Sequence, residues 1–249
     1  MGLNLRFESA VGERVRMRLL LSFVANFFLG LIGMRLGAFD LSGFLVGLIT
    51  GWVITYAFGI GGFLVLLSFV ALGSLTTRVS FSRKESLGIS EPRGGRRTWR
   101  SAFGNLTVPA FISLFYIPYA STGLTVAFVA SLATATCDTV ASEIGKAYSH
   151  RVLDILRFGF KPAGSPGGIS AIGTAAGVVA SLAIASVAAL TNLIQWNFLW
   201  LIALSAFIGS TSESFIKSAT GIEAPQLFNL LNTAIGAFAA LGLTSYAYH

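Results

Sequence analysis

A long apolar run that begins near Leu124 ends in the sequence Ala133-Thr-Ala-Thr-Cys-Asp-Thr-Val-Ala-Ser-Glu-Ile-Gly-Lys146. This stretch places two carboxylates, Asp138 and Glu143, at or near membrane depth. An acid in hydrocarbon costs at least about 2.5 kcal/mol, so it requires a partner or a water-filled cavity. The chain has only ten acids in 249 residues. Two of them in such a place indicate a functional site, and the alternative is a structural pairing with Lys146 or an arginine.

The composition is that of an integral membrane protein. Hydrophobic residues make up 54% of the chain and charged residues 11%, whereas a soluble domain carries about 25% charged residues. The net charge of +7 reflects loop orientation and contact with anionic lipid or phosphate. No aromatic-interleaved basic domain indicates a nucleic-acid partner. The single cysteine, Cys137, excludes an intrachain disulfide and a cysteine-based metal site.

Apolar runs of the length that crosses a bilayer, about 20 residues, recur along the chain. They predict an all-α, polytopic bundle of about seven or eight transmembrane helices that forms a single membrane domain over residues 1–249. A glycine-rich break at Gly59 separates the second and third runs, and Gly43, Gly47 and Gly51 predict close helix packing. The candidate spans are residues 17–36, 41–58, 60–77, 102–119, 123–142, 169–190, 196–212 and 227–246.

Three polar segments between the spans are expected to share one side of the membrane and to form the active-site face. Residues 78–100 carry seven basic and two acidic side chains, and residues 144–168 carry four basic and one acidic. Two spans separate these segments, and two further spans lead to residues 213–226. The positive-inside rule assigns this side to the cytoplasm. The three spans before Arg78 conflict with it, because they place the basic N-terminus outside.

Asp138 and Glu143 cannot share a face of an ideal helix, because a five-residue step leaves them about 140° apart. Ser142 lies on the Asp138 face. For both acids to hold one ion, the helix must be discontinuous or end early between Asp138 and Gly145, as the glycine suggests. Such oxygen ligands suit Mg²⁺ or Mn²⁺. Lys146 follows as a third candidate catalytic side chain.

The sequence Glu91-Pro-Arg-Gly-Gly-Arg-Arg-Thr-Trp-Arg100 is typical of a loop that contacts phosphate. Guanidinium forks and backbone N–H groups can both bind phosphate oxygens. No Walker A motif occurs in the chain. The alternative is a positive-inside loop that touches anionic lipid. The candidate nucleotide-binding residues here are Arg93, Gly94, Gly95, Arg96 and Arg97.

The sequence Lys161-Pro-Ala-Gly-Ser-Pro-Gly-Gly-Ile-Ser170 leads directly into a predicted span that contains Thr174. Glycine-rich backbone at a helix N-terminus can bind an anion through free N–H groups. The alternative is that Ser165 or Ser170 only caps the helix. The candidate phosphate-binding residues here are Lys161, Ser165, Gly167, Gly168 and Ser170.

A third acid, Glu213, lies at a span end and is a further candidate metal ligand. Asn229 and Asn232 share one face of the last span, and Asn105 lies near the start of the fourth. The alternative for each asparagine is a hydrogen bond to a neighbouring helix. His150 and His249 lack partner spacing and receive no role.

These blocks, in this order, resemble the DUF92 or TMEM19-like family of membrane proteins, which includes phytyl-phosphate kinases. The resemblance covers the chain from about Leu64 onward. The block from Asp138 to Gly145 is its most specific part. The others are Arg93-Gly-Gly-Arg-Arg97 with Gly104-Asn105, Pro166-Gly-Gly-Ile-Ser170 with Gly173-Thr174, Gly209-Ser-Thr-Ser-Glu213, and Asn229 to Asn232.

The resemblance implies a membrane kinase that converts an isoprenoid monophosphate, such as a phytyl or geranylgeranyl compound, to the diphosphate. The donor would be CTP or another nucleoside triphosphate, with Mg²⁺ on Asp138, Glu143 and Glu213. The expected partners are therefore the nucleotide, the isoprenoid lipid and membrane lipid, with the oligomeric state left open. The alternatives are a CTP-dependent cytidylyltransferase of a lipid phosphate and an ion-coupled transporter that uses Asp138 and Glu143.

Overall fold

The computed structural model describes residues 2–222 and 224–247, and for residues 2–11, 14 and 247 it describes the backbone alone. His249 lies outside the described residues. The described chain forms a helix bundle with one small sheet at one end. Its elements are α1 Gly2–Arg35, α2 Leu41–Arg78, α3 Phe81–Ser86, α4 Trp99–Tyr116, α5 Thr122–Tyr148, β1 Arg151–Asp154, β2 Phe160–Pro162, β3 Gly168–Ile169, α6 Ala171–Leu190, α7 Leu199–Thr220 and α8 Pro225–Ala247.

Helix α5 is the centre of the bundle and contacts α2, α4, α6, α7 and α8. In its most apolar 18-residue stretch 83% of the residues are buried, against 44% at most in the other long apolar helices. Small side chains such as Ala127, Ala130 and Ala133 are fully buried and let neighbouring helices approach closely. Ser121 begins the helix by accepting a hydrogen bond from the Leu124 N–H at 3.2 Å.

The expected break in α5 was wrong, because the helix continues through Asp138 and Glu143 to Tyr148. Its cap is Ser149, whose N–H donates to the Gly145 carbonyl at 2.9 Å. Gly145 serves packing instead of helix termination, since a Cβ there would lie 2.9 Å from Ser170 Oγ at the start of α6. The two acids therefore project about 140° apart.

Helix α2 reverses direction at Gly59, as the glycine-rich break predicts. Gly59 has φ 64° and ψ −150°, a backbone conformation that favours glycine. A Cβ at Gly51, in the first arm, would lie 3.3 Å from the side chain of Leu66 in the second arm. Arg78, at the end of α2, donates to the carbonyl of Leu36, which precedes the first residue of α2. The arms 41–58 and 60–78 are therefore antiparallel.

Six of the described helices are long and apolar enough to cross a membrane. The chain is thus a multi-pass integral membrane protein. Helix α4, which corresponds to the predicted span 102–119, falls outside this group because it carries Arg100, Asn105 and Pro109. The six are Val15–Arg35, Leu41–Arg78, Thr122–Tyr148, Ala171–Leu190, Trp196–Thr220 and Pro225–Tyr246.

A three-stranded antiparallel sheet of order β2-β1-β3 follows α5, and an all-α prediction does not include it. Asp154, at the end of β1, connects the sheet to α7 through hydrogen bonds. Its carboxylate accepts the backbone N–H groups of Leu156 and Arg157 at 3.0 and 3.1 Å and the Ser218 hydroxyl of α7. Lys161 on β2 lies 2.5 Å away. The Lys161 ammonium and the Ser218 hydroxyl hold the pKa of Asp154 below its usual value.

Replacement of Asp154 by asparagine should loosen this sheet while the helices stay intact. The depressed pKa means that the stabilising charge is present above the unfolded pKa of about 3.9 and is lost as pH falls through the folded pKa. At neutral pH, Asp154→Asn should therefore speed tryptic cleavage at Arg157 by about tenfold, the order expected when charge-assisted hydrogen bonds are lost. The exposed Glu85→Gln is the control, and equal cleavage rates for the two variants would contradict the assignment.

Candidate active site

A cavity of about 780 Å³ opens at the end of the bundle that carries the polar loops, called here the loop face. Its volume lies within the range of about 300–1,000 Å³ that ligand sites occupy. All three polar segments contribute to its lining. The predicted site residues that line it are Arg93, Arg96, Arg97, Asp138, Ser142, Glu143, Lys146, Ser165, Gly167, Gly168, Ser170, Thr174, Glu213 and Asn229.

Asp138 projects from α5 into this cavity. Its Oδ1 lies 3.5 Å from the Ser210 hydroxyl of α7, and within the described chain it forms no ion pair. Three cations lie close enough to act on its charge: Lys217, Lys146 and Arg97. Asp138 therefore keeps carboxylate oxygens available to a ligand in the cavity.

Glu143 is engaged on both oxygens and does not share the position of Asp138. Lys84, fully buried, forms an ion pair with Oε2 and donates to the Thr77 carbonyl at 2.8 Å. Lys146 lies 3.3 Å from Oε1. Of the two interpretations of Glu143, the structure therefore shows pairing with basic side chains, here Lys84 and Lys146. The unbroken helix α5 points Glu143 away from the face that carries Asp138.

Glu213 is also buried and fully engaged. Its Oε1 accepts from Lys217 one turn further along α7, and its Oε2 accepts from the amide of Asn232 on α8. The side chain of Glu213 is 1% exposed, whereas that of Lys217 is 29% exposed and lines the cavity. Glu213 therefore holds the Lys217 ammonium in position from the buried side of the cavity wall.

Arg97 has hydrogen-bonding capacity left for a ligand. Its guanidinium lies 3.3 Å from the Thr77 hydroxyl and 3.4 Å from the Ser101 hydroxyl and has no acid partner within the described residues. Arg93 is instead paired with Asp40 at 3.3 Å near the cavity mouth. The cavity lining holds six cationic side chains and four acidic ones. The cations are Arg93, Arg96, Arg97, Arg100, Lys146 and Lys217, and the acids are Glu91, Asp138, Glu143 and Glu213. This excess favours an anionic ligand.

The glycine-rich loop before α6 packs tightly against α7. Gly167 has φ +70°, and a Cβ there would lie 2.8 Å from the Ser214 carbonyl and 2.7 Å from the Ser218 nitrogen. Ser170 caps α6 by accepting the Gly173 N–H at 3.1 Å, which is the capping alternative. The N-terminus of α6 still faces the cavity, because Ser170 and Thr174 line it.

Five predicted site residues lie outside the cavity lining. Lys161 is paired with Asp154 and belongs to the sheet. Asn105 donates to the Ser101 carbonyl at 2.9 Å and lines a smaller cavity next to the main one. The five residues are Gly94, Gly95, Asn105, Lys161 and Asn232.

Three contributing residues were missed by sequence reasoning. Lys217 stands four residues after Glu213, an i,i+4 spacing that predicts an ion pair on a helix and that could have revealed it. Ser210 shares the polar end of α7 with Glu213. Lys84 had no distinguishing signal, because a lysine in a basic loop is expected to be solvated.

The described chain is therefore a polytopic membrane protein whose loop face holds a cation-rich cavity with one unpaired carboxylate. It belongs to the DUF92 family of integral membrane proteins, whose model matches residues 24–220. No solved structure matches the chain.

The relatives of known sequence include one bacterial, one plant and one archaeal protein. The uncharacterized membrane protein sll0875 of Synechocystis is 34% identical over 207 residues, which cover 80% of each chain. Protein VTE6, chloroplastic, of Arabidopsis thaliana is 31% identical over 211 residues, or 80% of this chain and 63% of its own length. The uncharacterized membrane protein MJ0933 of Methanocaldococcus jannaschii is 29% identical over 67% of this chain and 68% of its own.

The Lys84–Glu143 pair predicts a large loss of stability when one partner is removed. Breaking a buried ion pair costs about 3–5 kcal/mol when it leaves an uncompensated charge, and loss of Lys84 leaves Glu143 with the partly exposed Lys146 as its cation partner among the described residues. Lys84→Met should therefore lower the thermal midpoint in detergent strongly. The double variant Lys84→Met with Glu143→Leu should recover most of it, since apolar replacement of a buried pair is often neutral. Tryptophan fluorescence during heating measures both, and an unchanged midpoint in Lys84→Met would refute the assignment.

Proposed function

We propose that this protein is a membrane kinase that transfers a phosphoryl group from a nucleoside triphosphate to an isoprenoid monophosphate, giving the diphosphate. The observation that carries the proposal is the combination in one cavity of the unpaired Asp138 carboxylate with six cations, at the loop face of an apolar bundle. Membership of the DUF92 family, which the resemblance described above links to phytyl-phosphate kinases, supports the choice of substrate class.

Phosphoryl transfer requires charge stabilisation and positioning more than covalent chemistry from the protein. Arg97 offers a planar guanidinium fork without an acid partner, and such a fork can bind two phosphate oxygens. Lys146 on α5 and Lys217 on α7 also line the cavity near Asp138. These three cations would bind the phosphates of donor and acceptor.

Asp138 is the side chain to which we assign Mg²⁺. Mg²⁺ usually binds one or two carboxylates and completes its shell with water and phosphate oxygens, so a single free carboxylate in a phosphate site fits it. When bound, Mg²⁺ would neutralise charge on the transferring phosphate. Glu143 leaves the proposed ligand set because Lys84 and Lys146 occupy it. Glu213 becomes a positioning residue for Lys217, since both of its oxygens are engaged.

The acceptor chemistry agrees with the side chains that line the cavity. A monophosphate is already an anion and can attack without a strong general base, and no histidine lies in the lining formed by residues 2–222 and 224–247. The cavity lies where α4, α5, α6, α7 and α8 reach the loop face, so a lipid chain can stay within the bilayer. We assign this face to the cytoplasm, where nucleotide is available, because the basic loops favour that side under the positive-inside rule.

Asp138→Asn should reduce transfer by at least about 10²-fold, the order seen when one preorganised electrostatic group is removed. The variant should elute as folded protein, because Asp138 supports no ion pair in the described structure. The assay measures conversion of geranylgeranyl monophosphate to the diphosphate with CTP or ATP in detergent, across a Mg²⁺ titration. Glu85→Gln, an exposed acid outside the cavity, should match the wild type. Wild-type turnover by Asp138→Asn would remove Asp138 from the mechanism.

Product analysis distinguishes kinase chemistry from cytidylyl transfer, which needs similar phosphate contacts. With γ-labelled nucleotide, a kinase places the label in the lipid, whereas a cytidylyltransferase releases it in pyrophosphate. We expect the label in the lipid diphosphate. Label recovered only in pyrophosphate would assign the site to the second reaction.

A further inference from the structure

A second, smaller cavity of about 70 Å³ adjoins the candidate active site. It lies between the two arms of α2 and the beginning of α4, and its wall is mostly apolar, with Phe69, Val70 and Leu106 among the lining residues. Arg97 and Ser101 line both this cavity and the main one. The two spaces therefore meet at Arg97, one of the three cations proposed to bind the phosphates of donor and acceptor.

The glycines of the first α2 arm differ in what surrounds them. A Cβ at Gly43 would lie 2.5 Å from the Arg97 carbonyl, and one at Gly51 would meet Asn26, so close packing requires both glycines. Gly47, between them, has no atom within 4 Å of the position of a Cβ. It faces the small cavity, so packing does not explain it.

We infer that this cavity is the binding groove for the hydrocarbon segment next to the phosphate of the acceptor, which we take to be its first isoprene unit. The inference rests on the proposed function and adds to it the position of the chain. A phosphate on Arg97 has apolar space directly beside it, since a Cβ on the groove residue Gly73 would lie 3.9 Å from the Arg97 guanidinium. Burial of the chain there gains hydrophobic free energy.

The groove has the volume of a few methylene groups, so it cannot enclose a long prenyl chain. Gly43 and Gly47, which both line the groove, lie about 6 Å apart along the arm at 1.5 Å per residue, so the groove is short. The remainder of the chain would lie outside the groove, in the bilayer. The protein would thus recognise the phosphate and the adjoining unit and remain tolerant of chain length beyond them.

The test is binding of geranylgeranyl monophosphate without nucleotide, followed as a shift of the thermal midpoint in detergent. Gly47→Leu fills the groove without a backbone clash and should weaken this binding by about tenfold, the factor that corresponds to about 1.4 kcal/mol. Binding of inorganic phosphate should not change. The matched control is Gly242→Leu in α8, which also has open space around its Cβ but lies away from both cavities.

A second groove variant, Gly73→Ala, keeps the proposal testable if Gly47→Leu does not fold. Gly73→Ala places its methyl group 3.7 Å from Thr139 and 3.9 Å from Arg97, which is ordinary contact, and should weaken prenyl phosphate binding less. Equal affinity of the wild type and both groove variants for the prenyl phosphate would overturn the groove. Equal affinity of the wild type for inorganic phosphate and prenyl phosphate would also overturn it. Intact groove binding with no transfer from nucleotide would instead reject the kinase.

Discussion

Every ionised group that enters this bundle must find a partner, because unpaired charge in a low-dielectric interior is costly. That constraint explains the arrangement of the three acids around α5. Glu143 is paired with the buried Lys84, and Glu213 is held by Lys217 and Asn232. Among the described residues, Asp138 has one hydrogen bond, from the Ser210 hydroxyl at 3.5 Å, and no ion pair. The two paired acids build the wall of the cavity, and the third is left facing a ligand.

Because α5 is unbroken, Asp138 and Glu143 have different roles. A five-residue step on an unbroken helix turns the side chain by about 140° from its starting direction, so one helix presents Asp138 to the cavity and Glu143 to Lys84. The pair ties α5 to α3 and to the end of α2, the elements that precede the arginine loop. A helix interrupted between the acids would have placed both in one site and left Lys84 buried without an acid. The position of the arginines therefore depends on a helix that does not break.

Much of the architecture could be predicted from the sequence because membrane helices depend on local hydropathy. The apolar runs located the long helices, and the glycine at position 59 marked the reversal in α2. The end of α5 could not be predicted, because Gly145 is required by its contact with Ser170, which lies on another element. Lys161 was assigned to phosphate for its position beside glycines, whereas its partner Asp154 becomes close only through strand pairing. Contacts between distant segments decided each of these outcomes.

The distribution of polar groups along α5 favours the proposed catalytic cavity over a transport path. An ion-coupled transporter needs polar groups that continue toward the opposite face of the membrane. In the half of α5 before Asp138, Ser131, Thr134 and Thr136 are fully buried. Their hydroxyls donate to carbonyls three or four residues earlier in the same helix, at 2.7 Å. None of these three residues lines the cavity, whose α5 lining begins at Cys137. The cavity lining therefore does not extend into the first half of α5, which agrees with the proposed site that receives its ligands from one side.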